Sequence, residues 1–486
     1  MKNQFLLFAA FMAGLAGVSR ANEPETWSCV AGPDAQVRRQ QVADHMRPRV
    51  IFEGEDVPGG VLERMAVHHV PALSVAVIKD GKLDWTAAWG SLEAGGTKAD
   101  CSTLFQGGSL AKPTTLVAAL RMKQEGVIGF DEDIEAYLDA YHLPQGQQSV
   151  ENPVTLRNLF RHTSGITRGG YMGYSQDAPL PTTSQILLGE APANSRAIQV
   201  VEKPNEHLAY SGGGYTLIEA ALQDHLHQPF EQLMQQWLIE PLGMQQASFV
   251  QPVPSANRMR TAKGHLADGS VVPGGWNNHP ERAAAGLWVT PSDLARLLLE
   301  MHKASGGESS LLDRASVEEM LADPIEGHSY GFRRFGEGDD LFITHYGGTV
   351  GYRAGMTINL HTGNGAVYLT NSDGGSELGT EFLNAVSEVY GWTGFKAINV
   401  RRVTKSVEEL QALTGVYDFQ DAPSVSVVLE QGALTLVFPN KDRYAMAPIE
   451  GAPSEFIHPP TAVRITFEQA EDGTKMNLYG EQGVRR

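Results

Sequence analysis

The sequence is poor in cysteine, in positive charge and in long apolar segments, and each shortage argues against a class of function. Its 486 residues contain only 2 cysteines, Cys29 and Cys101, in neither a Cys-x-x-Cys nor a metal-type spacing. An oxidising compartment permits one disulfide between them, which the sequence leaves open. Lysine and arginine total 38 against 56 acidic residues, for a net charge of −18. A surface of that sign repels nucleic acid and anionic lipid headgroups, so we expect neither as a partner.

One segment alone is strongly apolar, and it is short. Residues 5–18 follow Lys2 and precede Ser19 and Ala21, small residues of the kind that a signal peptidase reads. The run is too short to span a bilayer comfortably. We therefore expect residues 1–21 to be a cleaved signal peptide. The mature chain should carry no integral membrane segment, and the protein should be periplasmic or secreted from a bacterium.

Strands are predicted at both ends of a large domain, with helices between them. The segments LSVAVI and KLDWTAAWG alternate as strands do and are joined at Asp80-Gly81, a two-residue hairpin signal. Helical spacing follows, most clearly after Thr290-Pro291, which is typical of a helix N-terminus. Strand patterns return at LFITHYGG, YRAGMTINL and GAVYLTNS. This order predicts an α+β sheet whose first and last strands meet.

The length and the composition predict how the chain divides into domains. A chain of 486 residues exceeds what one hydrophobic core usually supports, so we expect one large and one small domain. A polar N-terminal extension covers 22–55, and the large domain covers 56–392. A linker-like stretch separates it from 403–486, where short alternating strands and glycine turns predict a small antiparallel β-domain, a sandwich or a barrel.

The stretch GGSLAKPTT contains the clearest candidate nucleophile. A serine hydroxyl needs a base to take its proton and donors to hold the oxyanion that follows. Ser109 lies at the start of a predicted helix, where backbone N–H groups favour negative charge. Among the serines of this chain, only Ser109 has a lysine three positions later, Lys112, and that spacing places both on one helix face. Alone, the pair is equally typical of two polar residues at a helix start.

Two other stretches offer the rest of such a site. EHLAYSGGGYTLIEAAL places Tyr210 in a tight loop before an amphipathic helix. ITHYGGTVGYR carries a strand into consecutive glycines, whose bare backbone N–H groups can serve an oxyanion. Taken singly, the first stretch is better explained by a core tyrosine before a helix cap, and the second by a strand end and a turn.

Together and in this order, the stretches resemble the serine β-lactamase and penicillin-binding-protein superfamily. The similar branch holds class C β-lactamases, D-alanyl-D-alanine carboxypeptidases, D-aminopeptidases and family VIII esterases. SLAK matches its Ser-x-x-Lys motif, YSG its Tyr-Ser/Ala-Asn motif and HYGG its Lys/His-x-Gly motif. Supporting stretches such as VTLRNLFRHTSGI and AAGLWVTPSDLARL extend the resemblance. It implies a β-lactamase/transpeptidase-like domain, with an antiparallel sheet flanked by helices plus an all-helical region, followed by a lipocalin-like β-domain.

The resemblance also implies a role for each matching residue. Ser109 would attack the substrate carbonyl, Lys112 would help to deprotonate it, and Tyr210 would act with Lys112 as base and then as acid to the leaving group. The backbone N–H groups of Ser109 and Gly348 would form the oxyanion hole. His162, in RHTSG, would belong to a structural turn. The residues implied in substrate binding are Ser211, Gly212, His345, Tyr346 and Gly347.

Two departures from the β-lactamase pattern bear on the substrate. Gly212 stands where β-lactamases have an asparagine that hydrogen-bonds the substrate's acylamide. His345 stands where they have a lysine, and a histidine is mostly neutral at pH 7, so a fixed positive charge for a substrate carboxylate is lost. Both losses weaken the case for an efficient β-lactamase, and esterase and D-amino-acid peptidase members tolerate them.

We therefore expect an exported serine hydrolase that forms an acyl-enzyme on Ser109 without a metal or a cofactor. The first expectation is a carboxylesterase acting on small esters, because esters require less recognition of flanking groups. The second is a periplasmic D-amino-acid peptidase or D-alanyl-D-alanine carboxypeptidase, and a β-lactamase comes third. A catalytically inactive peptide-binding protein is the rival from another class, and the intact Ser109, Lys112 and Tyr210 argue against it. The oligomeric state and the role of the β-domain stay open.

Overall fold

A computed structural model describes residues 29, 31–57, 59–167, 169–420, 422–439, 441–451, 454–470 and 473–486. The signal peptide predicted for residues 1–21 lies outside the described residues. Within the described part of the chain, no helix is both long and apolar enough to cross a membrane. The α-helices are α1 Pro33–Asp44, α2 Val61–Val67, α3 Ala111–Gln124, α4 Leu156–Phe160, α5 Thr183–Leu188, α6 Gly212–Leu226, α7 Phe230–Met234, α8 Glu240–Leu242, α9 Arg282–Ala285, α10 Pro291–Gly306, α11 Arg314–Leu321, α12 Gly375–Tyr390 and α13 Val407–Gln411.

The strands form a central sheet, a barrel and two small pairs. They are β1 Val50–Phe52, β2 Ala72–Lys79, β3 Lys82–Gly90, β4 Phe105–Gln106, β5 Trp288–Val289, β6 Arg333–Phe335, β7 Phe342–Thr349, β8 Tyr352–Asn359, β9 Gly365–Thr370, β10 Ile398–Val400, β11 Gly415–Asp418, β12 Val425–Glu430, β13 Ala433–Val437, β14 Arg443–Pro448, β15 Glu455–His458, β16 Val463–Ala470, β17 Gly473–Leu478 and β18 Glu481–Arg485.

The central sheet has the antiparallel order β3-β2-β9-β8-β7-β6. The predicted hairpin at Asp80-Gly81 joins β2 to β3, and β2 also pairs with β9, so the first and last strands of the large domain meet as predicted. β2 is buried on both faces because its side chains alternate between two apolar clusters. Ala76 and Ile78 face one cluster, whereas Val75 and Val77 face the other.

Helices cover both faces of this sheet. The helical region between Ala111 and Leu321, which includes α10, lies on one side, where it shares the larger apolar cluster with β2, β8 and β9. α12 and α1 cover the other side, where Phe382 of α12 packs against Trp85 of β3 in an apolar cluster that also contains Leu378. The architecture is the predicted antiparallel sheet flanked by helices with an added helical region. Ser109 and Tyr210 are both placed on the helical side.

The C-terminal strands β11 to β18 close into an antiparallel barrel, because Tyr417 of β11 pairs with Arg485 of β18. The small antiparallel β-domain predicted from the sequence is therefore confirmed as a barrel. Side chains fill its interior, among them Phe456, Phe467 and Met476. The barrel contacts the rest of the chain through a small apolar cluster that includes Val400 and the barrel residues Ile449 and Ile457.

The N-terminal extension is part of the folded core. Its strand β1 pairs in parallel with β10, which lies in the stretch predicted as a linker, so that stretch is partly a strand. The disulfide that the sequence left open joins Cys29 to Cys101, with Cα atoms 5.3 Å apart. It links the start of the extension to the segment that leads into Ser109. The extension is thus held both at the barrel and close to the candidate nucleophile.

Candidate active site

Ser109 lies in a 3-10 turn, Gly108–Leu110, that runs directly into α3. This turn touches the end of β7 through glycines. Gly108 has φ +52, and a methyl group on it would lie 2.8 Å from the backbone nitrogen of Gly348. A methyl group on Gly347 would lie 2.0 Å from the carbonyl oxygen of Gly107. Only glycine permits such an approach of two backbones, and it brings Ser109 against the strand that carries the predicted oxyanion donor.

Lys112 is buried one turn further along, with 3% of its surface exposed. Its Nζ donates hydrogen bonds to Ser109 Oγ at 3.1 Å and to the carbonyl oxygen of Ala284 at 2.7 Å. Among the described residues no carboxylate forms an ion pair with it. A buried amine needs hydrogen-bond partners, and α9, which contains Ala284, supplies one. Ser109 and Lys112 are therefore held as a pair, as the spacing predicted.

Tyr210 lies beside Lys112. The Nζ of Lys112 is 5.0 Å from the centre of its ring, within the range of a cation–π contact. The tyrosine is fixed by its neighbour Ser211, which begins α6 as its N-cap. Ser211 Oγ accepts a hydrogen bond from Gly214 N–H at 3.0 Å and donates one to the Thr167 carbonyl at 2.9 Å. Tyr210 itself is 39% exposed, so its ring meets both the lysine and the solvent.

His345 lies near Tyr210, with the two ring centres 6.4 Å apart. Burial, reinforced by the nearby charge of Lys112, lowers its pKa to about 3. The imidazole is therefore neutral at pH 7. Next along β7, Tyr346 is 42% exposed, and its side chain points to the opposite face of the strand because side chains alternate. No fixed positive charge stands at the motif position where β-lactamases carry a lysine.

The structure gives a reason for glycine at position 212. A methyl group there would lie 2.7 Å from the carbonyl oxygen of Gly169 and 3.1 Å from the ring of Tyr171. The backbone N–H of Gly212 donates to the same carbonyl at 3.0 Å. The segment around Gly169 thus occupies the space that an asparagine side chain would need. Ser211 is engaged in capping and is buried, so its hydroxyl is committed within the protein.

Sequence reasoning placed Ser109, Lys112, Tyr210, His345 and the two glycines of β7 in one site, and the structure brings these residues together. Sequence reasoning missed two further groups that contact these residues. His162 packs its ring against Tyr210 with 4.3 Å between the centres. The carbonyl of Ala284 accepts a hydrogen bond from Lys112. A backbone carbonyl leaves no residue-type signal, whereas the histidine stands in a motif that the resemblance assigns to a structural turn.

The same neighbourhood contains a buried pair of titratable residues, His279 and Glu281. Both are fully buried, and His279 Nδ1 is 3.9 Å from Glu281 Oε2, too far for a hydrogen bond. Burial raises the pKa of Glu281 to about 8, and burial together with the charge of Lys112 lowers the pKa of His279 to about 4. Both side chains are thus mainly uncharged at pH 7. Within the described residues, no cluster of three or more histidine, cysteine or acidic side chains is arranged to hold a metal ion.

Comparison with known proteins identifies similar sequences and similar folds. A family model described as Beta-lactamase matches residues 61–387. Protein flp of Staphylococcus aureus (strain N315) is 23% identical over 316 residues, and the match covers 62% of this chain but only 60% of that protein. The octameric penicillin-binding protein homologue from Pyrococcus abyssi aligns with a TM-score of 0.59 at 19% identity, over 87% of this chain and 98% of its own.

A second solved structure is similar over most of this chain. The D-amino acid amidase from Ochrobactrum anthropi SV3, complexed with L-phenylalanine amide, aligns with a TM-score of 0.57 at 18% identity. The alignment covers 73% of this chain and 99% of the amidase. At these identities the likeness shows a shared fold.

Proposed function

Because the chain belongs to the β-lactamase family, whose members are serine hydrolases, we propose that Ser109 is its nucleophile and that it hydrolyses small carboxylic esters. The observation that carries the proposal is the 3.1 Å contact between Lys112 Nζ and Ser109 Oγ, made by a buried amine. A serine held against a desolvated amine is the arrangement that activates a hydroxyl for attack on a carbonyl.

The geometry supports a two-step reaction. Ser109 Oγ attacks the ester carbonyl while its proton passes to the Lys112 and Tyr210 pair. The backbone N–H groups of Ser109 and Gly348 hold the oxyanion that forms. The carbonyl then re-forms and expels the alcohol, which receives the proton from Tyr210. Water attacks the resulting acyl-enzyme in the same way, and the acid leaves with Ser109 restored.

Two features favour an ester over a β-lactam or a substrate with a free carboxylate. His345 is neutral, so the substrate strand presents no fixed cation at that point. The space beside Gly212 is filled by the backbone of Gly169, so no amide side chain is available for a substrate's acylamide. A site without these recognition groups discriminates best on the reactivity of the carbonyl, and esters are more reactive than unstrained amides.

A D-amino-acid peptidase is the second candidate, and the edge of β7 favours it. β6 pairs only with Phe342–Thr344, so among the described strands none pairs with that edge between His345 and Gly348. An extended peptide can add to such an edge through backbone hydrogen bonds, which need neither a lysine at 345 nor an asparagine at 212. This candidate predicts amide turnover with substrates that present backbone groups on both sides of the scissile bond.

The test compares full-length wild type with Ser109→Ala on short-chain p-nitrophenyl esters, D-alanine p-nitroanilide and nitrocefin. We expect ester turnover and a transient acyl adduct on Ser109 in the intact mass of wild type, and neither in the variant. Lys112→Ala and Tyr210→Phe should each lower kcat by about 100-fold or more, the usual contribution of a positioned base. Ser376→Ala serves as the control, because Ser376 is exposed on α12 across the sheet and should leave kcat unchanged.

Each outcome decides between the candidates. Ester turnover without anilide turnover supports the esterase, and the reverse order of rates supports the peptidase. Near-full activity of Tyr210→Phe would show that Tyr210 is not part of the general base. Ester turnover that survives Ser109→Ala would show that the nucleophile lies elsewhere. No adduct and no turnover with any substrate would favour an inactive peptide-binding protein.

We also propose that the protein is exported. The proposal rests on the apolar segment at residues 5–18 and on the disulfide between Cys29 and Cys101, a bond that persists in oxidising compartments. Fractionation of a bacterial host should find the mature protein outside the cytoplasm and shortened by about 21 residues. A cytoplasmic protein of full length would contradict the proposal.

A further inference from the structure

His162 contacts three consecutive residues of the segment that carries Tyr210. Its carbonyl oxygen accepts a hydrogen bond from Ala209 N–H at 2.7 Å. Its ring lies against the ring of Tyr210, with centres 4.3 Å apart and planes inclined by 39°. Its Nδ1 accepts a hydrogen bond from Ser211 N–H at 3.2 Å. One side chain and one carbonyl thus fix the backbone on both sides of the tyrosine and one face of its ring.

The backbone of His162 is held in an unusual conformation to make these contacts. Its φ of 59° lies in the left-handed region, which few residues other than glycine adopt. The neighbouring backbone maintains it, because Thr163 N–H donates to Asn158 O at 2.8 Å and Asn205 N–H donates to Thr163 O at 2.7 Å. A conformation of this kind persists where the surrounding structure over-determines it, which is common at functional sites.

The hydrogen bond at Nδ1 also determines which nitrogen carries the proton. Since Nδ1 accepts from a backbone N–H, the neutral ring has its proton on Nε2, which has no hydrogen-bond partner among the described residues. Burial, with Lys112, His345 and His328 nearby, holds the pKa of His162 well below its usual range. The residues packed on its ring are Tyr210 and Tyr215, so an uncharged imidazole borders the tyrosine throughout the neutral pH range.

We propose that His162 is a positioning residue for Tyr210. It holds the tyrosine ring over the Lys112 amine, and the inference rests on the proposed function, in which Tyr210 and Lys112 act together as base. Removing the imidazole leaves Ser211 N–H buried without an acceptor and opens space beside the Tyr210 ring. The tyrosine then shifts relative to Lys112, and a displacement of about 1 Å at a reacting group costs about 100-fold in rate.

Two substitutions separate the contributions of His162. His162→Gly keeps the left-handed backbone without strain and removes both the ring and the acceptor. His162→Asn also tolerates this backbone, and its side-chain oxygen can accept from Ser211 N–H, but it lacks the ring. His227→Gly is the matched control, because His227 is also a histidine with positive φ, 49°, but is exposed at the end of α6.

The experiment measures kcat, KM and the pH profile of kcat/KM on a p-nitrophenyl ester with the full chain, together with the melting temperature of each variant. We expect His162→Gly to lose about 100-fold in kcat with little change in KM, and His162→Asn to recover about a tenth of the wild-type kcat. The pH profile should shift in both variants, because the ring above Lys112 has moved. His227→Gly should match wild type in kcat, KM and pH profile.

Several results would overturn the inference. Wild-type kcat and an unchanged pH profile in His162→Gly would show that Tyr210 is positioned without the imidazole. If that variant fails to fold, His162→Asn decides alone, and a wild-type kcat in it would refute a role for the ring. A loss confined to KM would mean that His162 shapes substrate binding. The proposed function fails separately, through retained activity of Ser109→Ala.

Discussion

Glu281 offers a sharp physical test of the structure, because its carboxyl group is buried and accepts no hydrogen bond from any other described residue. The charged groups that face it are the Glu219 carboxylate, which disfavours its ionisation, and the Arg282 guanidinium, which favours it. Arg282 is already committed to Glu219, with Nη1 3.2 Å from the Glu219 Oε1 oxygen. The neutral side chain of His279 lies beside it. Burial therefore dominates and raises the pKa of Glu281 from 4.5 to about 8.

The magnitude follows from linkage between ionisation and folding. One pKa unit corresponds to about 1.4 kcal/mol, so ionising Glu281 in the folded protein costs about 5 kcal/mol more than in the unfolded chain. A raised carboxyl pKa means that the folded state keeps a proton which the unfolded state loses. The associated stability is fully present below pH 4.5 and is lost as the pH rises towards 8. By pH 7, this ionisation has lowered the free energy of unfolding of wild type by about 3 kcal/mol.

The perturbation is Glu281→Gln, which retains the shape of the protonated acid and cannot ionise. Between pH 4.5 and pH 7, the free energy of unfolding of the variant should rise relative to wild type by about 3 kcal/mol. Equilibrium unfolding in urea at pH 4.5, 6, 7 and 8 measures this difference. Titration of His279 occurs in both proteins and largely cancels. Glu318→Gln is the control, because Glu318 is exposed on α11, and its difference from wild type should not depend on pH.

A difference between Glu281→Gln and wild type that stays constant from pH 4.5 to pH 8 would refute the reasoning. It would mean that the carboxylate ionises in the folded protein at little cost, through water or an ion pair that the buried geometry does not provide. If the free energy of unfolding of the variant fell relative to wild type as the pH rises, the reasoning would be refuted more strongly, because the ionised carboxylate would then stabilise the folded protein.

Two further predictions concern the approach to the site. Gly108→Ala places a methyl group 2.8 Å from the Gly348 nitrogen and should lower kcat by about 10- to 100-fold. Gly126→Ala is the control, because Gly126 has φ +72 and nothing within 4 Å, so it should show only the backbone cost of about 1 to 2 kcal/mol in stability that both variants share. Equal kcat values for the two variants would argue against an oxyanion site at Gly348. Cys101→Ser opens the disulfide with Cys29, which spans 72 residues, and should lower the free energy of unfolding by up to about 4 kcal/mol in urea titrations, so an unchanged midpoint would show that the crosslink adds no stability.

Local patterns were sufficient for most of the fold. The hairpin at Asp80-Gly81 and the helix that begins at Pro291 are encoded by adjacent residues, and the structure contains both. Alternation also predicted the strand Phe342–Thr349, although it could not show that Gly107 and Gly108 would press against its end. That contact joins segments far apart in sequence, and no residue spacing predicts it.

Long-range contacts also explain what the sequence left out of the site. His162 precedes Ser211 by 49 positions. In the sequence alone, a local turn is enough to explain the motif that contains His162, and only the folded structure shows its contact with Ser211. The same holds for Gly212, whose lack of a side chain was read as a lost substrate contact. The structure adds the cause, since the carbonyl of Gly169 occupies the space.

The charges around Ser109 suggest why the departures from the β-lactamase pattern belong together. His162 and His345 both lie near Tyr210 and are buried and neutral, and Lys112 has no anionic partner among the described residues. An unpaired buried amine is costly, and here two aromatic faces, a hydroxyl and a carbonyl are what stabilise it. In the proposed reaction, Lys112 gains its charge by taking the Ser109 proton, and that charge then lies beside the oxyanion with no carboxylate competing for it. A second lysine at position 345 would disfavour that charge, so the neutral His345 leaves Lys112 able to take the proton.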